Sequence, residues 1–181
     1  MMKTQRKKRS RRHWLFDNRG AIAIEFAFVG PLFIWMSLVI LDFGVMLFTQ
    51  SVMDGAARDA ARAIRTGQIS GAGTSAQTAF KTILCNEIGT LIPCASLIFD
   101  AQPFSSFGSM STGVTRDAQG NMVTSGFNAG TSGQPLLVRV SYNRPYMSGI
   151  GQLLQIVTHS SGSLPSSQLL LSVIVFQNEP Y

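Results

Sequence analysis

Residues 26–41 read FAFVGPLFIWMSLVIL, a run of sixteen residues that contains no charged side chain. Apolar character continues for several residues on both sides of this run, where only Glu25 and Asp42 interrupt it. A helix that crosses a bilayer needs roughly 20 mostly apolar residues. The sequence therefore predicts a single transmembrane helix over about residues 22–43.

The basic residues of the chain are concentrated ahead of the apolar run. Residues 1–20 carry eight Lys or Arg side chains and one acid, whereas residues 21–181 carry seven basic and eight acidic side chains. Because cytoplasmic flanks of membrane helices are enriched in Lys and Arg, we expect a cytoplasmic N-terminus and an extracytoplasmic remainder. The nearly neutral remainder argues against a nucleic-acid partner, which would require a basic face. A buried helix of a soluble protein is the alternative, but such a helix seldom follows a basic cluster.

Two export signals are further interpretations of the N-terminus. A basic start before an apolar run is also typical of a removable signal peptide, and residues 10–16, SRRHWLF, resemble a twin-arginine signal. However, no A-x-A cleavage site closes the run, and residues 17–19 separate the paired arginines from it. We therefore expect the helix to be retained.

Glu25 is an unfavourable residue inside the predicted transmembrane helix, since a carboxylate at such a position costs about 2.5–3.5 kcal/mol on insertion scales. Cleavage after Gly20 would make Ala21 a new N-terminus, one helical turn from Glu25. The amine and the carboxylate would both be charged at neutral pH. Each would offset the cost of burying the other, within one chain or between neighbouring chains. Alternatively, Glu25 lies at the cytoplasmic interface and reaches water.

These residues resemble the processing signature of type IV prepilins, in which a basic leader and a Gly precede four mostly apolar residues and a Glu. Residues 19–26, RGAIAIEF, are similar to the tight-adherence (Flp) branch. Residues 25–32, EFAFVGPL, resemble the TadE-like family, as do DFG at 42–44 and AARDAAR at 56–62. NEP at 178–180 is similar to the terminal N-E-P of related proteins.

The resemblance implies a minor pseudopilin that acts in the biogenesis of Flp/Tad-type adhesive pili. It would be anchored by a single pass in the bacterial inner membrane, with its head periplasmic or extracellular. A prepilin peptidase would cut between Gly20 and Ala21, and Glu25 and Phe26 would serve recognition and assembly. Its partners would be that peptidase, other Tad/Flp assembly components and other pseudopilins. The alternative is a signal-anchored periplasmic binding protein that is unrelated to pili and keeps its leader.

Two residues within the run favour a particular helix geometry. Pro31 lacks a backbone donor and tends to kink a helix, and Gly30 is small enough for close packing against another helix. A simple kink without a partner is the alternative. Asp42 ends the uncharged run.

The helical pattern continues beyond the membrane to a stop at Gly67. We expect a basic leader over residues 1–20, a helix over 21–66 and an extracytoplasmic head over 67–181. In the outer half of the helix, the spacings of Asp54 to Arg58 and of Asp59 to Arg62 favour ion pairs on an exposed face. A phosphate or lipid site at Arg58 and Arg62 is the alternative.

The head is predicted to be α+β, with a short helix and an antiparallel sheet. Residues 74–77, TSAQ, have the spacing of a capping box, and the apolar residues after them recur at helical spacing up to a stop at Gly89. The predicted strands, from their apolar patterns, cover residues 96–100, 136–142 and 169–176, with a hairpin over 114–123. Residues 151–158 fit either helix or strand.

Cys85 and Cys94 are the only cysteines of the chain. Outside the cytoplasm, two cysteines favour a disulfide, which would contribute about 2–3 kcal/mol for so short a loop. Two buried free thiols are the alternative.

No pattern of residues predicts catalysis or a bound cofactor. The only histidines are His13 and His159, so no metal-ligand set accompanies the cysteines. The sequence contains no G-x-S-x-G motif and no phosphate-binding glycine pattern. We therefore expect no enzyme, no metal, no cofactor and no small-molecule substrate. An exported enzyme that depends on His159 is the remaining alternative.

Overall fold

The computed structural model describes residues 20–71, 73–89, 91–146 and 167–180. The chain divides into two compact units, Met1–Leu41 and Asp42–Tyr181, and each is described by itself. The predicted basic leader up to residue 19 lies outside the described residues, and so does segment 151–158, for which helix and strand were both open.

The first helix, α1, is Ala21–Arg65, and it contains Pro31. It ends where Gly67 adopts a positive φ of 74°, a conformation that glycine reaches without steric cost. The Gly67 N–H donates to the Ile64 carbonyl at 2.9 Å and so closes the last turn. This end agrees with the stop predicted at Gly67.

The second unit also contains a shorter helix and a three-stranded sheet. Its elements after α1 are α2 (Thr74–Ile88), β1 (Leu97–Pro103), β2 (Pro135–Pro145) and β3 (Ser167–Gln177). The strands are antiparallel in the order β1-β2-β3, with Phe99 opposite Val140 and Val138 opposite Ile174. The predicted α+β fold, a long N-terminal helix followed by a short helix and an antiparallel sheet, is confirmed.

The core of the second unit forms between α1, α2 and one face of the sheet. Small and branched side chains of α1 are buried in it, namely Met53, Ala56, Ala57, Ala60 and Ile64. Phe80 of α2 is fully buried, and its ring centroid lies 5.2 Å from that of Phe99 and 5.3 Å from that of Phe127. Aromatic pairs at such separations stabilise a core beyond their buried area. The alanine face of α1 therefore lets the head pack closely against the helix.

One local prediction in the head is wrong, and another holds in a reduced form. The α2 helix has Gly73 at its N-cap position and no capping side chain. Thr74 already lies inside the helix, so the predicted capping box does not form. The predicted hairpin over residues 114–123 is present in minimal form, as one antiparallel bridge between Arg116 and Met122 beside a hydrogen bond from the Val123 N–H to the Thr115 carbonyl. Asp117 closes this bridge into a turn, because its carboxylate accepts hydrogen bonds from the backbone N–H groups of residues 119 and 121.

The prediction of ion pairs along α1, from Asp54 to Arg58 and from Asp59 to Arg62, is also wrong. Asp54 accepts a hydrogen bond from Gln50 Nε2 at 3.0 Å, and the same amide donates to the Leu171 carbonyl of β3 at 3.1 Å. Gln50 therefore binds the Asp54 carboxylate, which was expected to form an ion pair with Arg58. The ion pairs among the described residues are Arg65–Glu179, Arg139–Asp100 and Arg144–Asp42.

Candidate functional site

The first half of α1 exposes its apolar side chains. Phe26 is 73% exposed, and the large apolar side chains around it are similarly exposed, among them Ile24, Phe28 and Val29. The helix is long and apolar enough to cross a membrane by length and composition, and its apolar window is mostly exposed. A core helix of a soluble protein would instead bury such a window, so this exposed apolar segment could span a membrane.

The predicted processing residues lie where α1 begins. Gly20 is exposed immediately before the helix, and a Cβ at this position would meet no atom within 4 Å. Ala21 is the first helical residue, and the exposed Glu25 lies one turn further on. No hydrogen bond or ion pair engages the Glu25 carboxylate within the described part of the chain. The structure thus brings these residues to one end of α1, with Glu25 open to a partner.

Gly30 and Pro31 lie within the same stretch of α1. A Cβ on Gly30 would lie 3.4 Å from ring carbons of Phe26, so the aromatic ring covers this glycine. Pro31 is accommodated without interrupting the helix. The close approach of Phe26 explains, within the same helix, why a residue without a side chain suits position 30. The sequence predicts packing against another helix as a second explanation.

Asp42 is a buried residue of the second unit, with 7% of its surface exposed. Nη2 of Arg144, near the end of β2, donates to its Oδ1 at 2.6 Å. Arg144 is itself 8% exposed, and within the described residues its Nη1 is buried without a hydrogen-bond partner. The pair therefore ties the first turn of the head's part of α1 to the middle strand of the sheet.

A second buried ion pair fixes the long segment between β1 and β2. Arg139 Nε and Nη2 donate to the two carboxylate oxygens of Asp100, at 2.9 and 2.5 Å. Nη1 of the same guanidinium donates to the Gly113 carbonyl at 2.7 Å. The hydrogen bond to Asp100 raises the pKa of Arg139, which opposes the effect of burial. Arg139 therefore stays charged and holds this segment against the sheet.

The N-E-P element closes the head onto the end of α1. Asn178 is buried, and its Nδ2 donates to the carbonyls of Ala129 and Thr131 at 2.9 and 3.1 Å. The Glu179 N–H donates to the Arg65 carbonyl at 3.0 Å, and the Glu179 carboxylate pairs with the Arg65 guanidinium at 2.8 Å. These bonds satisfy a carbonyl in the last turn of the helix, which would otherwise lack a partner.

The predicted disulfide between Cys85 and Cys94 is present, with 5.7 Å between the two Cα atoms. It joins the last turn of α2 to the short segment before β1. Both histidines lie outside the described residues. In the part of the chain that the structure describes, no three His, Cys, Asp or Glu side chains are grouped to hold a metal ion.

Arg144, Arg139 and Arg65 are the residues that the sequence reasoning missed. Each pairs with an acid that is distant in the sequence, Asp42, Asp100 or Glu179. One feature of the sequence could have indicated such a pair. Asp42 stands at the end of an apolar run, and a charged side chain that is buried requires a partner.

The fold and the exposed apolar helix define a class of protein. Within the described residues, it has one helix that could anchor it in a membrane and a small α+β head. Residues 20–62 match the family described as TadE-like protein. The resemblance to this family is confirmed over those residues, and the family implies involvement in Tad pilus assembly. Comparison with curated proteins and with solved structures finds no match.

Proposed function

We propose that this chain is a minor pseudopilin of an Flp/Tad-type pilus system, with a structural or assembly role and no catalysis. The observation that carries the proposal is the position of the family match, which begins at Gly20. At that residue an exposed glycine meets the first turn of an exposed apolar helix. A basic leader precedes it and a glutamate follows at the fifth position after it.

Cleavage between Gly20 and Ala21 by a prepilin peptidase is the first step of the proposed mechanism. The absence of a side chain at Gly20 lets an extended backbone approach a protease closely, and a Cβ there would meet no described residue within 4 Å. The product would begin with the Ala21 amine, one helical turn from Glu25. The exposed carboxylate would then pair with that amine, or with the amine of a neighbouring subunit in the membrane.

Orientation in the membrane follows from charge and from the disulfide. The basic leader favours a cytoplasmic N-terminus, which would direct the head into the periplasm or beyond it. Disulfides persist in such oxidising compartments and are rare in the cytoplasm. The Cys85–Cys94 bond supports the same orientation by an independent route. The proposed location is therefore the bacterial inner membrane, with the head outside the cytoplasm.

The N-terminus of the membrane-extracted protein tests this proposal. Intact mass and terminal sequencing should find a chain that starts at Ala21, because the peptidase removes the leader. Gly20→Lys should remain uncut, since a long charged side chain blocks access to the bond. Gln68→Lys adds the same side chain at an exposed position after α1 and should be cut normally.

A chain that retains its leader, in cells with an active prepilin peptidase, would contradict the processed pseudopilin. It would leave the signal-anchored binding protein as the better interpretation. In that case Glu25→Ala would leave both processing and assembly unchanged.

A further inference from the structure

The outer half of α1 and strand β3 enclose a groove on the surface of the head. We call it the α1–β3 groove; it has a volume of about 510 Å³ and is lined by Arg58, Arg62 and Arg65 from α1 and by residues 174–176 from β3. All of these residues belong to the second unit. The sequence singled out Arg58 and Arg62, and the proposed function gives them no role.

β3 forms one edge of the sheet, because the strand order is β1-β2-β3. In an antiparallel pair, alternate residues direct their N–H and C=O groups towards and away from the neighbouring strand. The Leu171 carbonyl accepts a hydrogen bond from Gln50 of α1, outside the sheet. By the two-residue period, Val173 and Val175 direct their backbone groups to the same outer edge.

This outer edge is open only between Leu171 and Glu179, because the Glu179 N–H already donates to the Arg65 carbonyl of α1. No bond from outside the sheet reaches the backbone of Val173 or Val175 within the described residues. The Val175 side chain is 41% exposed beside it. An open edge with unpaired N–H and C=O groups is a template for the addition of another strand.

The wall of the groove that faces this edge carries excess positive charge. Arg65 is paired with Glu179. Arg58 and Arg62 are exposed, one helical turn apart, and form no ion pair with a described residue. Asp59 also lines the groove and offsets part of this charge, so an occupant would gain most by placing its acids near Arg58 and Arg62.

A lipid headgroup fits these arginines poorly. Arg58 lies sixteen residues after Asp42, which corresponds to about 24 Å along the helix axis. If the apolar run lies in the membrane, the bilayer surface is therefore out of reach of an arginine side chain. A headgroup site would also leave the unpaired backbone groups of β3, beside the arginines, without a role.

From these observations we propose that the α1–β3 groove binds an extended, acidic segment of a partner protein. The segment adds to the outer edge of β3 as a fourth strand, through backbone hydrogen bonds at Val173 and Val175. Its carboxylates meet Arg58 and Arg62. The proposal does not depend on cleavage at Gly20, since every residue it uses lies in the second unit.

The test uses the full chain in detergent micelles and a fluorescent peptide that alternates Glu with Val. The peptide has about six residues, the length of a typical strand, and so fits the open edge between Leu171 and Glu179. Anisotropy is measured at about 50 mM salt, where surface charges are weakly screened. The peptide should bind at least about tenfold more tightly than one that alternates Lys with Val. Arg58→Glu combined with Arg62→Glu should reverse this preference, whereas Arg116→Glu, outside the groove, should not.

Peptides methylated on alternate backbone nitrogens separate strand addition from simple charge attraction. Methylation of the amides that face β3 should abolish binding, whereas methylation of the alternate set should preserve it, because a strand presents only every second N–H to each neighbour. Circular dichroism would check that the arginine variants remain folded. The proposal is overturned if no peptide binds, if charge reversal has no effect, or if neither methylated peptide loses affinity.

Discussion

Asp42 and Arg144 carry opposite charges in a buried site, so each depends on the other for its stability. Removing an ion from water costs several kcal/mol even in real proteins, and a close partner offsets that cost. Removal of one partner leaves the second charge buried and uncompensated. Disruption of the pair should therefore cost the head more free energy than formation of the pair contributes.

Arg144→Leu should destabilise the head by about 3–5 kcal/mol, because it leaves the Asp42 carboxylate buried without a partner of opposite charge. The measurement is thermal or denaturant unfolding of the full chain in detergent. Asp42→Leu together with Arg144→Leu should recover most of this loss, since no charge then remains buried. The exposed Arg116→Leu is the control and should change little. A double variant as unstable as the two single losses added together would contradict this account.

Asp117 gives the turn at residues 117–121 a pH dependence. Hydrogen bonds from the backbone of Asn121, and then from its side chain and from Gln119, lower the pKa of Asp117. A lowered pKa in the folded state contributes stability above the ordinary aspartate value of about 3.9. That contribution should be lost as the pH falls from there through the lower folded pKa. The Asn121 amide shift in NMR would report this transition, and Asp117→Asn should remove it.

The turn that precedes β2 is an element whose geometry requires glycine. Gly130 has a φ of +71°, and a Cβ there would lie 3.1 Å from Gln134 Oε1 and 3.3 Å from Pro103 Cβ. Its N–H donates to Asn128 Oδ1, and Asn178 closes the turn from the other side. Backbone strain and crowding therefore both act at this one position.

Gly130→Ala should lower the free energy of unfolding by more than Gly133→Ala does. Gly133 has a similar φ of +76°, but a Cβ there would meet no atom within 4 Å. Each substitution carries the strain of a left-handed backbone, about 1–3 kcal/mol, and only the first adds a steric conflict. Denaturant unfolding of the two variants side by side would isolate the packing contribution. Equal losses would show that strain alone is responsible.

At the scale of elements, the sequence predicts the features that depend on local pattern. The apolar run and Gly67 define α1, alternating side chains locate β2, and a nearly continuous apolar run locates β3. The ion pairs could not be predicted, because Asp42 and Arg144 lie 102 residues apart in sequence. The pairing of Asp54 was missed for the same reason, since Gln50 links that carboxylate to β3 through a tertiary contact.

For the molecule as a whole, orientation and redox state are linked. The proposed candidate site at the start of α1 was predicted from residues 20–31, and its processing role stays a prediction. The disulfide was predicted from the expected location of the head outside the cytoplasm. Because the disulfide is present in the fold, its redox state in cells can report on which side of the membrane the head lies. A head outside the cytoplasm should be oxidised, and one left inside should carry free thiols.

Maleimide labelling of the protein in intact cells should therefore leave Cys85 and Cys94 unmodified until a reductant is added. Reduction should also lower the stability of the head by about 2–3 kcal/mol, the contribution expected for a loop of this length. A variant with both cysteines replaced by alanine should be insensitive to the reductant. Labelling without reduction would contradict the proposed orientation.

The link between Asp42 and Arg144 has a mechanical consequence. Tension applied along the anchor would enter the head at Asp42, where the second unit begins. Arg144 would pass part of it to β2, the only strand of the described sheet that is paired on both sides. The force would then be shared between β1 and β3 through two sets of backbone bonds, and α1 would resist being peeled from the head at the end nearest the pull.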